Sequence, residues 1–240
     1  LSSPLQGFTD FRFRNAFHKY FGGIDTFYSP YILLNGKLVI KGSYERDILP
    51  ENNSTLEVIP QIITNDADEF VFVAKYVQSL GYKELNWNLG CPYPMVAKCG
   101  MGSGLISNTS QIEHILDRAH SETDIIVSMK MRMGYDTPEE ILDVLPILDT
   151  YPLKNIAIHA RIGKQLYKGG TNLEAFQKCL DNSKHKMYYN GDITSVTAFN
   201  DFSFAPAPAP APAPDPVTVT VTVTITTTIT LFTTVALTII

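Results

Sequence analysis

The regular alternation of strand and helix patterns constrains the fold of this 240-residue chain more than any other feature of its sequence. Apolar runs predict strands at residues 25–31, 58–64, 84–90, 125–132, 155–161 and 186–193, and a shorter run precedes residue 9. Patterns with helical spacing lie between them, at residues 9–21, 68–80, 111–120, 137 onward and 172–180. Strand starts recur every 26 to 41 residues, which is typical of repeated βα units with parallel strands and right-handed crossovers.

Seven predicted strands of this kind favour a (β/α)8 TIM barrel. Polar, glycine-rich residues follow the strand ends, and barrels of this class carry their sites at the carboxyl ends of their strands. The rival is a doubly wound parallel sheet, whose first βα turn would carry Gly-x-Gly-x-x-Gly. That motif is absent from the first turn. An eighth strand is not recognisable either, so we expect an incomplete α/β barrel.

The composition changes near residue 205 and divides the chain into three segments. Residues 1–204 carry the strand and helix pattern and are predicted to form the partial barrel domain. Residues 205–216 begin with a strict Ala-Pro repeat, which favours an extended linker. Residues 217–240 are uncharged and include eleven threonines in an alternating Val/Thr pattern. This period of two indicates strand rather than a membrane helix, and we assign this low-complexity tail no function.

Charge and cysteine content exclude several classes of protein. A net charge of −5 argues against a general basic nucleic-acid binder, although a local basic groove is compatible with it. Three cysteines are too few for a disulfide framework, so reduced thiols in the cytoplasm are the simpler interpretation. Cys91 and Cys99 lack a second matching pair of ligands, so no metal site is expected. The chain shows no signal peptide and begins as if cut from a longer protein.

The fourth predicted strand ends at a cysteine. Asn88 and Gly90 precede Cys91, Pro92 follows it, and Lys98 comes shortly afterwards. A cysteine held in a tight turn just past a barrel strand is placed for chemistry. Most free cysteines, however, are small buried hydrophobes. From the residues alone, the two interpretations have about equal weight.

Titratable residues end the next strands. Lys130 lies mid-strand between methionines, where its ammonium has to reach solvent or meet an anion in the barrel mouth. Arg132 ends the same strand. His159 and Arg161 end the following one, and the arginine favours an anion site such as phosphate. The last predicted strand ends in an Asn-Gly turn at Asn190, whose backbone N–H groups can face a phosphate or a ring edge.

Six short motifs occur in a fixed order between residue 4 and about residue 193, and together they make the chain resemble the tRNA-dihydrouridine synthases. These flavoenzymes reduce uridine to dihydrouridine in tRNA. One such motif is a weak indication, and six in order are a strong one. The matching residues are Pro4 to Asp10 with Phe13 and Arg14; Gln61; Asn88 to Pro92, with Lys98 and Gly102 to Leu105; Lys130 to Gly134; His159 to Arg161, with Gln165, Tyr167 and Gly169; and Asn190 to Ile193.

The resemblance implies a barrel that binds FMN at its mouth, with NADPH as the reductant and tRNA as the partner. The flavin then passes a hydride to carbon 6 of a flipped-out uracil while a cysteine protonates carbon 5. Carried over residue by residue, Cys91 is the proton donor and Asn88 contacts the base or the flavin. The implied flavin contacts are Pro4, Leu5 and Gln6 along the isoalloxazine, Gln61 at its polar edge, Lys130 near N1 and O2, and His159, Asn190, Gly191 and Asp192 toward the phosphate.

The same resemblance suggests where RNA would be held. Extruding a stacked uracil costs a few kcal/mol. Lys98, Arg132 and Arg161, with Lys164 beside them, offset that cost if they meet RNA phosphates around the mouth. The alternative interpretation of these cations is an ordinary solvated rim.

The chain departs from the family pattern after residue 204. The family's eighth strand carries a Gly-Arg turn that grips the FMN phosphate, and a helical domain that holds tRNA follows it; neither is recognisable here. The chain therefore looks truncated at its C-terminus. Two alternatives to a synthase stay open. One is a non-catalytic remnant with weak flavin or RNA binding. The other is an FMN barrel oxidoreductase of the dihydroorotate dehydrogenase type that acts on a small molecule.

Overall fold

Six parallel strands in one sheet form the framework of the protein. The structure is a computed structural model, and it describes residues 1–34, 36–193 and 195. In the described residues the strands pair in sequence order, each parallel to the next, with β1 and β6 at the edges. They are β1 Thr26–Ile32, β2 Glu57–Ile62, β3 Glu84–Leu89, β4 Ile126–Arg132, β5 Ile156–His159 and β6 Met187–Asn190. This is the arrangement expected of an incomplete (β/α)8 barrel.

Helices cover the outer face of this sheet. They are α1 Phe11–Tyr20, α2 Gly42–Ile48, α3 Ala67–Ser79, α4 Pro94–Ala97, α5 Thr109–Glu122, α6 Glu140–Leu148 and α7 Leu173–Asp181. Short 3-10 turns lie at Pro50–Asn52, Gly102–Leu105 and Gly163–Gln165. Several helices begin at an Asx cap: Asp10 before α1, Asp66 before α3, Asn108 before α5 and Asn172 before α7 each accept backbone N–H bonds.

The outer face of the strands carries the hydrophobic core. Trp87 of β3 pairs in register with Met129 of β4, and both are fully buried under the helices. The indole ring lies edge-on to Phe70 of α3 at 5.4 Å, and its N–H donates to the carbonyl oxygen of Thr64. Leucine, isoleucine and methionine side chains continue this layer along β3 to β6. Burial of these side chains against helices fixes which face of each strand points outward, and so leaves the other face to the barrel interior.

Two predictions about the elements were wrong. The apolar run before residue 9 does not form a strand, because its only ladder contact is a single parallel bridge between Ser2 and Phe27. The described residues therefore contain six strands and not seven. The helix predicted from Thr137 begins at Glu140 instead. The Glu140 carboxylate accepts the backbone N–H groups of Tyr135, Asp136 and Thr137, and these bonds hold the preceding turn outside the helix.

The remaining strand and helix predictions are confirmed to within a few residues, and α2 and α4 were not predicted. The linker at residues 205–216 and the tail at residues 217–240 lie outside the described residues. Among the helices that are described, none combines the length and the hydrophobicity that crossing a lipid bilayer requires.

Candidate active site at the barrel mouth

The inner face of the sheet is polar. Residues paired in register on parallel strands share a face, and Gln61, Asn86 and Ser128 pair across β2, β3 and β4. Two residues further toward the carboxyl ends of the strands, Asn88 pairs with Lys130. Beyond them, Arg132 of β4 pairs with His159 of β5, which pairs with Asn190 of β6. Polar side chains buried inside a barrel cost free energy unless they are hydrogen-bonded. Their presence on five neighbouring strands, β2 to β6, therefore indicates a site rather than a packing layer.

A chain of hydrogen bonds runs from Cys91 into the barrel. The Asn88 side-chain oxygen accepts the backbone N–H groups of Gly90, at 3.0 Å, and Cys91, at 2.9 Å. The Asn88 amide donates to Gln61 at 2.8 Å, and the Gln61 amide donates to Asn86 at the same distance. Asn86 in turn donates to Ser128. Because each amide has both its donor and its acceptor engaged, the network fixes the turn that carries Cys91.

A second set of contacts holds the other side of this turn. The carbonyl oxygen of Cys91 accepts the backbone N–H of Ser103 at 3.1 Å and its hydroxyl at 3.0 Å. Gly102 lies against the same carbonyl with φ at +56°, and a Cβ added there would lie 2.6 Å from that oxygen. Only glycine fits this position without strain. The thiol of Cys91 is half-buried at the mouth.

We expect Gly102→Ala to destabilise the protein by at least about 3 kcal/mol, because it combines a left-handed backbone with an overlap against fixed backbone atoms. Gly81→Ala is the matched control: its φ is +92°, but a Cβ there would meet nothing within 4 Å. That variant should lose about 1 kcal/mol. Urea unfolding of both variants measures the difference, and equal losses would contradict the close packing of Gly102 on Cys91.

Lys130 and Arg132, both on β4, are the two cations near Cys91. The Lys130 ammonium makes no hydrogen bond or ion pair with any residue that the structure describes. Desolvation, with a smaller contribution from Arg132, lowers the pKa of Lys130 to about 8. Arg132 is 1% exposed and donates one Nη to the carbonyl oxygen of Ile162 at 2.7 Å. Its other Nη is buried without a hydrogen-bond partner in the described part of the chain. Burial also lowers the pKa of Arg132.

His159 is held neutral next to these cations. Burial, followed by the charges of Lys130, Arg132 and Arg161, lowers the pKa of His159 to about 2. A neutral imidazole accepts a hydrogen bond, and Arg161 Nη1 lies 3.2 Å from His159 Nε2. Three cations thus surround one imidazole, and Asp192 is the carboxylate that pairs with one of them. The excess of positive charge suits an anionic ligand.

The hydrogen bonds of Arg161 go to the protein itself. Its guanidinium is 2% exposed, forms a two-pronged ion pair with Asp192, and donates to the carbonyl oxygen of Gly169. The ion pair raises the pKa of Arg161 and lowers that of Asp192. These contacts tie the loops after β5 and β6 together. Direct contact of Arg161 with RNA, and of Asp192 with a cofactor, stays a prediction.

The other predicted site residues occupy different parts of the mouth. Gln6 spans the end of β1, because its side-chain oxygen accepts the N–H of Tyr31 and its amide donates to the Tyr31 carbonyl oxygen. Pro4 and Leu5 lie half-buried just before it. Asn190 is 1% exposed, next in register to His159, and Gly191 follows it. Lys98 is exposed at the end of α4 and is not part of the buried cluster.

Three residues at the mouth were not predicted from the sequence to be site residues. Ser103 holds Cys91, as described above. Tyr167 is 60% exposed and lies over both the Arg132 guanidinium, at 5.3 Å, and the His159 ring, at 5.9 Å. Tyr31 pairs in register with Gln61, on the face of β1 that points into the barrel. Ser103 and Tyr167 belong to the matched motifs, and the proline before Tyr31 marks an irregular strand, so each of the three had a recognisable indication.

No group of three or more His, Cys, Asp or Glu side chains is arranged to hold a metal ion in the described ranges 1–34 and 36–193 or at residue 195.

The fold and the site together define a parallel (β/α) barrel with a cysteine and a cluster of cations at its mouth. The family model described as "Dihydrouridine synthase (Dus)" matches residues 1–203. The chain belongs to the dihydrouridine synthase family. This confirms the resemblance carried by the six sequence motifs.

Curated relatives agree with that assignment. The chain is 25% identical over 199 residues to a probable tRNA-dihydrouridine synthase of Rhodobacter capsulatus, covering 82% of this chain and 61% of the relative. It is 26% identical over 194 residues to tRNA-dihydrouridine synthase B of Vibrio parahaemolyticus, covering 80% and 59%. The chain thus spans about six-tenths of the length of these relatives. A solved structure of a variant of NCR from Zymomonas mobilis overlaps 74% of this chain and 68% of its own, with 10% identity and a TM-score of 0.49.

Proposed function

We propose that the protein is a tRNA-dihydrouridine synthase, which reduces uridine in tRNA to 5,6-dihydrouridine with FMN as cofactor and NADPH as reductant. The observation that carries the proposal is the juxtaposition, at the mouth of a barrel of this family, of a half-buried thiol with two cations that form no ion pair with any described residue. The named relatives are tRNA-dihydrouridine synthases. We place the activity in the cytoplasm, where free thiols stay reduced.

The residues at the mouth fit FMN. Desolvating a cation without a partner is costly. Half-buried Lys130 and the Nη of Arg132 that has no partner among the described residues are two such donors. An anionic, planar ligand with acceptor atoms along one edge relieves that cost. Gln61 and His159 lie on the same inner face of the sheet, with Asn190 beside His159 in register. When bound, FMN supplies the hydride that the reaction requires.

The chain's own residues then have separate tasks. Cys91 presents a thiol whose proton goes to carbon 5 of the uracil, and Asn88 fixes the turn that carries it. The neutral imidazole of His159 serves as a hydrogen-bond partner and not as an acid, since its pKa lies far below neutrality. Arg161 orients that imidazole. Lys130 would stabilise negative charge on the nearest edge of the flavin ring.

A uracil reaches this mouth only when it is extruded from the tRNA stack. Tyr167 offers an exposed ring over Arg132 on which a flipped base can stack. Lys98 and Arg132 are the proposed cationic contacts to RNA, and Lys98 is the one already exposed to solvent.

Absorbance spectroscopy tests the cofactor assignment first. We expect the purified 240-residue chain, after addition of FMN and gel filtration, to retain a flavin band between ~350 and ~500 nm, where the protein does not absorb. NADPH should reduce the flavin and bleach that band. Addition of tRNA that lacks dihydrouridine should reoxidise the flavin and restore the band, and the tRNA should then contain dihydrouridine. A chain that retains no flavin is a remnant without the activity. Reoxidation by a free pyrimidine but not by tRNA would instead indicate a small-molecule oxidoreductase.

A further inference from the structure

Two exposed aromatic rings, those of Phe8 and Tyr93, stand on turns at the mouth of the barrel. Phe8 is 63% exposed and Tyr93 is 58% exposed. Single exposed aromatic side chains are common on protein surfaces and need no explanation. These two differ because each one projects from backbone that hydrogen bonds or prolines hold in a fixed conformation, next to residues already placed at the site.

The turn that carries Phe8 is attached to the carboxyl end of β1. Ser2 forms a parallel bridge with Phe27, so the first residues of the chain run alongside β1 in the same direction. The turn that follows therefore lies at the end of the strands where the site is. There the Gln6 side chain is bonded to both the N–H and the carbonyl oxygen of Tyr31.

Hydrogen bonds within this turn fix its conformation. The N–H groups of Phe8 and Thr9 both donate to the carbonyl oxygen of Leu5, at 3.0 Å and 3.1 Å. The Leu5 N–H donates to the Thr9 hydroxyl at 2.9 Å. Gly7 supplies a φ of +83°, which a tight turn of this kind requires at that position. The backbone of Phe8 is thus ordered before any ligand binds.

Tyr93 lies between two prolines at the start of α4. Pro94 restricts the residue before it to extended backbone, and Tyr93 has φ at −59° and ψ at 126°. The carbonyl oxygen of Tyr93 accepts the N–H groups of Val96 and Ala97, both at 2.9 Å. Pro92 fixes its own φ on the other side. The backbone that carries this ring, in the loop after β3, is therefore constrained like that of Phe8.

A planar ring on fixed backbone is suited to stacking on another planar group, because little conformational entropy is lost on binding. Unpaired RNA bases are such groups, and proteins hold them on aromatic side chains. Lys98, exposed five residues after Tyr93, supplies a cation for the phosphates between such bases. A protein partner ordinarily covers one continuous apolar patch, whereas these two rings stand on separate turns, with the ends of β1 and β2 between them.

We propose that Phe8 and Tyr93 stack on unpaired tRNA bases next to the uridine that is reduced. The inference rests on the proposed function. Extrusion of a uracil breaks the stacking between that base and its neighbours, which costs free energy. The two rings replace part of the lost stacking, so they lower the cost of bringing the uracil to the mouth. Because they stand on different turns, they hold two different bases of one strand.

Binding of a fluorescein-labelled, unmodified tRNA transcript, followed by fluorescence anisotropy, tests the proposal without turnover. We expect Phe8→Leu and Tyr93→Leu each to weaken binding about fivefold or more, because leucine keeps an apolar side chain but lacks a planar ring. Phe8→Tyr and Tyr93→Phe keep the ring and should bind within about twofold of the parent. A labelled RNA duplex without unpaired bases should bind to all of these proteins equally.

Tyr20→Leu is the matched control. Tyr20 is 71% exposed, but it ends α1 shortly before β1 begins, and so lies at the opposite end of the strands. Its tRNA affinity should match the parent's. Urea unfolding of both mouth variants should also match the parent, because the two replaced side chains are exposed.

Three results would overturn the proposal: parental tRNA affinity in both mouth leucine variants, an equal loss in Tyr20→Leu, or a parent chain that does not bind the transcript. A loss of duplex binding as large as the loss of tRNA binding would overturn it as well, since stacking requires unpaired bases. Because the measurement needs no reaction, the proposed function fails separately. A parent that binds tRNA through these rings but forms no dihydrouridine would refute the synthase activity and leave the stacking surface intact.

Discussion

Cys91→Ala is expected to bind FMN as the parent does and to reduce uridine in tRNA between about 10² and 10⁴ times more slowly, the usual range for loss of a general acid. The substitution removes only the sulfur. Both contacts that fix the turn, from the Cys91 N–H to Asn88 and from its carbonyl oxygen to Ser103, are backbone contacts that alanine retains. The cavity therefore keeps its shape and loses its proton donor.

Single-turnover kinetics locate the defect. Reduction of bound flavin by NADPH should proceed at the parental rate in Cys91→Ala, while reoxidation by tRNA slows. Cys99→Ala is the matched control, since Cys99 is exposed, lies eight residues further along the chain and is separated from Cys91 by α4. Turnover by Cys91→Ala at the parental rate, or an equal loss in Cys99→Ala, would remove Cys91 from the reaction.

The strand order and the location of the site followed from the sequence because both depend on local patterns. Apolar runs separated by helical spacing fix the βα repeat, and the ends of those runs fix the mouth. Cys91, Lys130 and His159 were therefore recognisable as mouth residues. The helix caps at Asp66 and Asn172 are also local contacts, since each accepts an N–H three residues ahead, although neither was predicted.

The contacts that define the chemistry of the site depend on distant parts of the chain. Arg161 was predicted to bind an anion such as phosphate. In the structure its guanidinium pairs instead with Asp192, 31 residues away. A register shift in β1 between Tyr28 and Tyr31 places Tyr31 opposite Gln61, and beside it the N–H of Gln61 donates to the Ser29 hydroxyl across two strands. No periodicity within one segment encodes such contacts. The start of α6 was misplaced for a different, local reason. The Glu140 carboxylate accepts three N–H groups of the preceding turn, and this pattern competes with a helix that begins at Thr137.

Lys130→Met is expected to weaken FMN binding at least tenfold and to stabilise the ligand-free chain by about 1–3 kcal/mol at pH 7. The ammonium is desolvated without a partner among the described residues, and an apolar side chain of similar length removes that cost. The same desolvation makes Lys130 a strong partner for an anion. Loss of binding and gain of stability therefore have one physical cause. Titration by flavin absorbance and urea unfolding measure the two effects.

The pH dependence separates this explanation from a simple packing effect. The pKa of Lys130 is about 8 in the folded chain, below its ordinary value of 10.5. Between these values the unfolded chain binds more protons than the folded chain, so this group makes the parent more stable as pH rises through that window. The advantage of Lys130→Met should accordingly be largest below pH 8 and vanish above about pH 10.5. A pH-independent advantage would contradict a buried ammonium. Lys83→Met, at an exposed lysine before β3, should change neither FMN binding nor stability by more than about 0.5 kcal/mol.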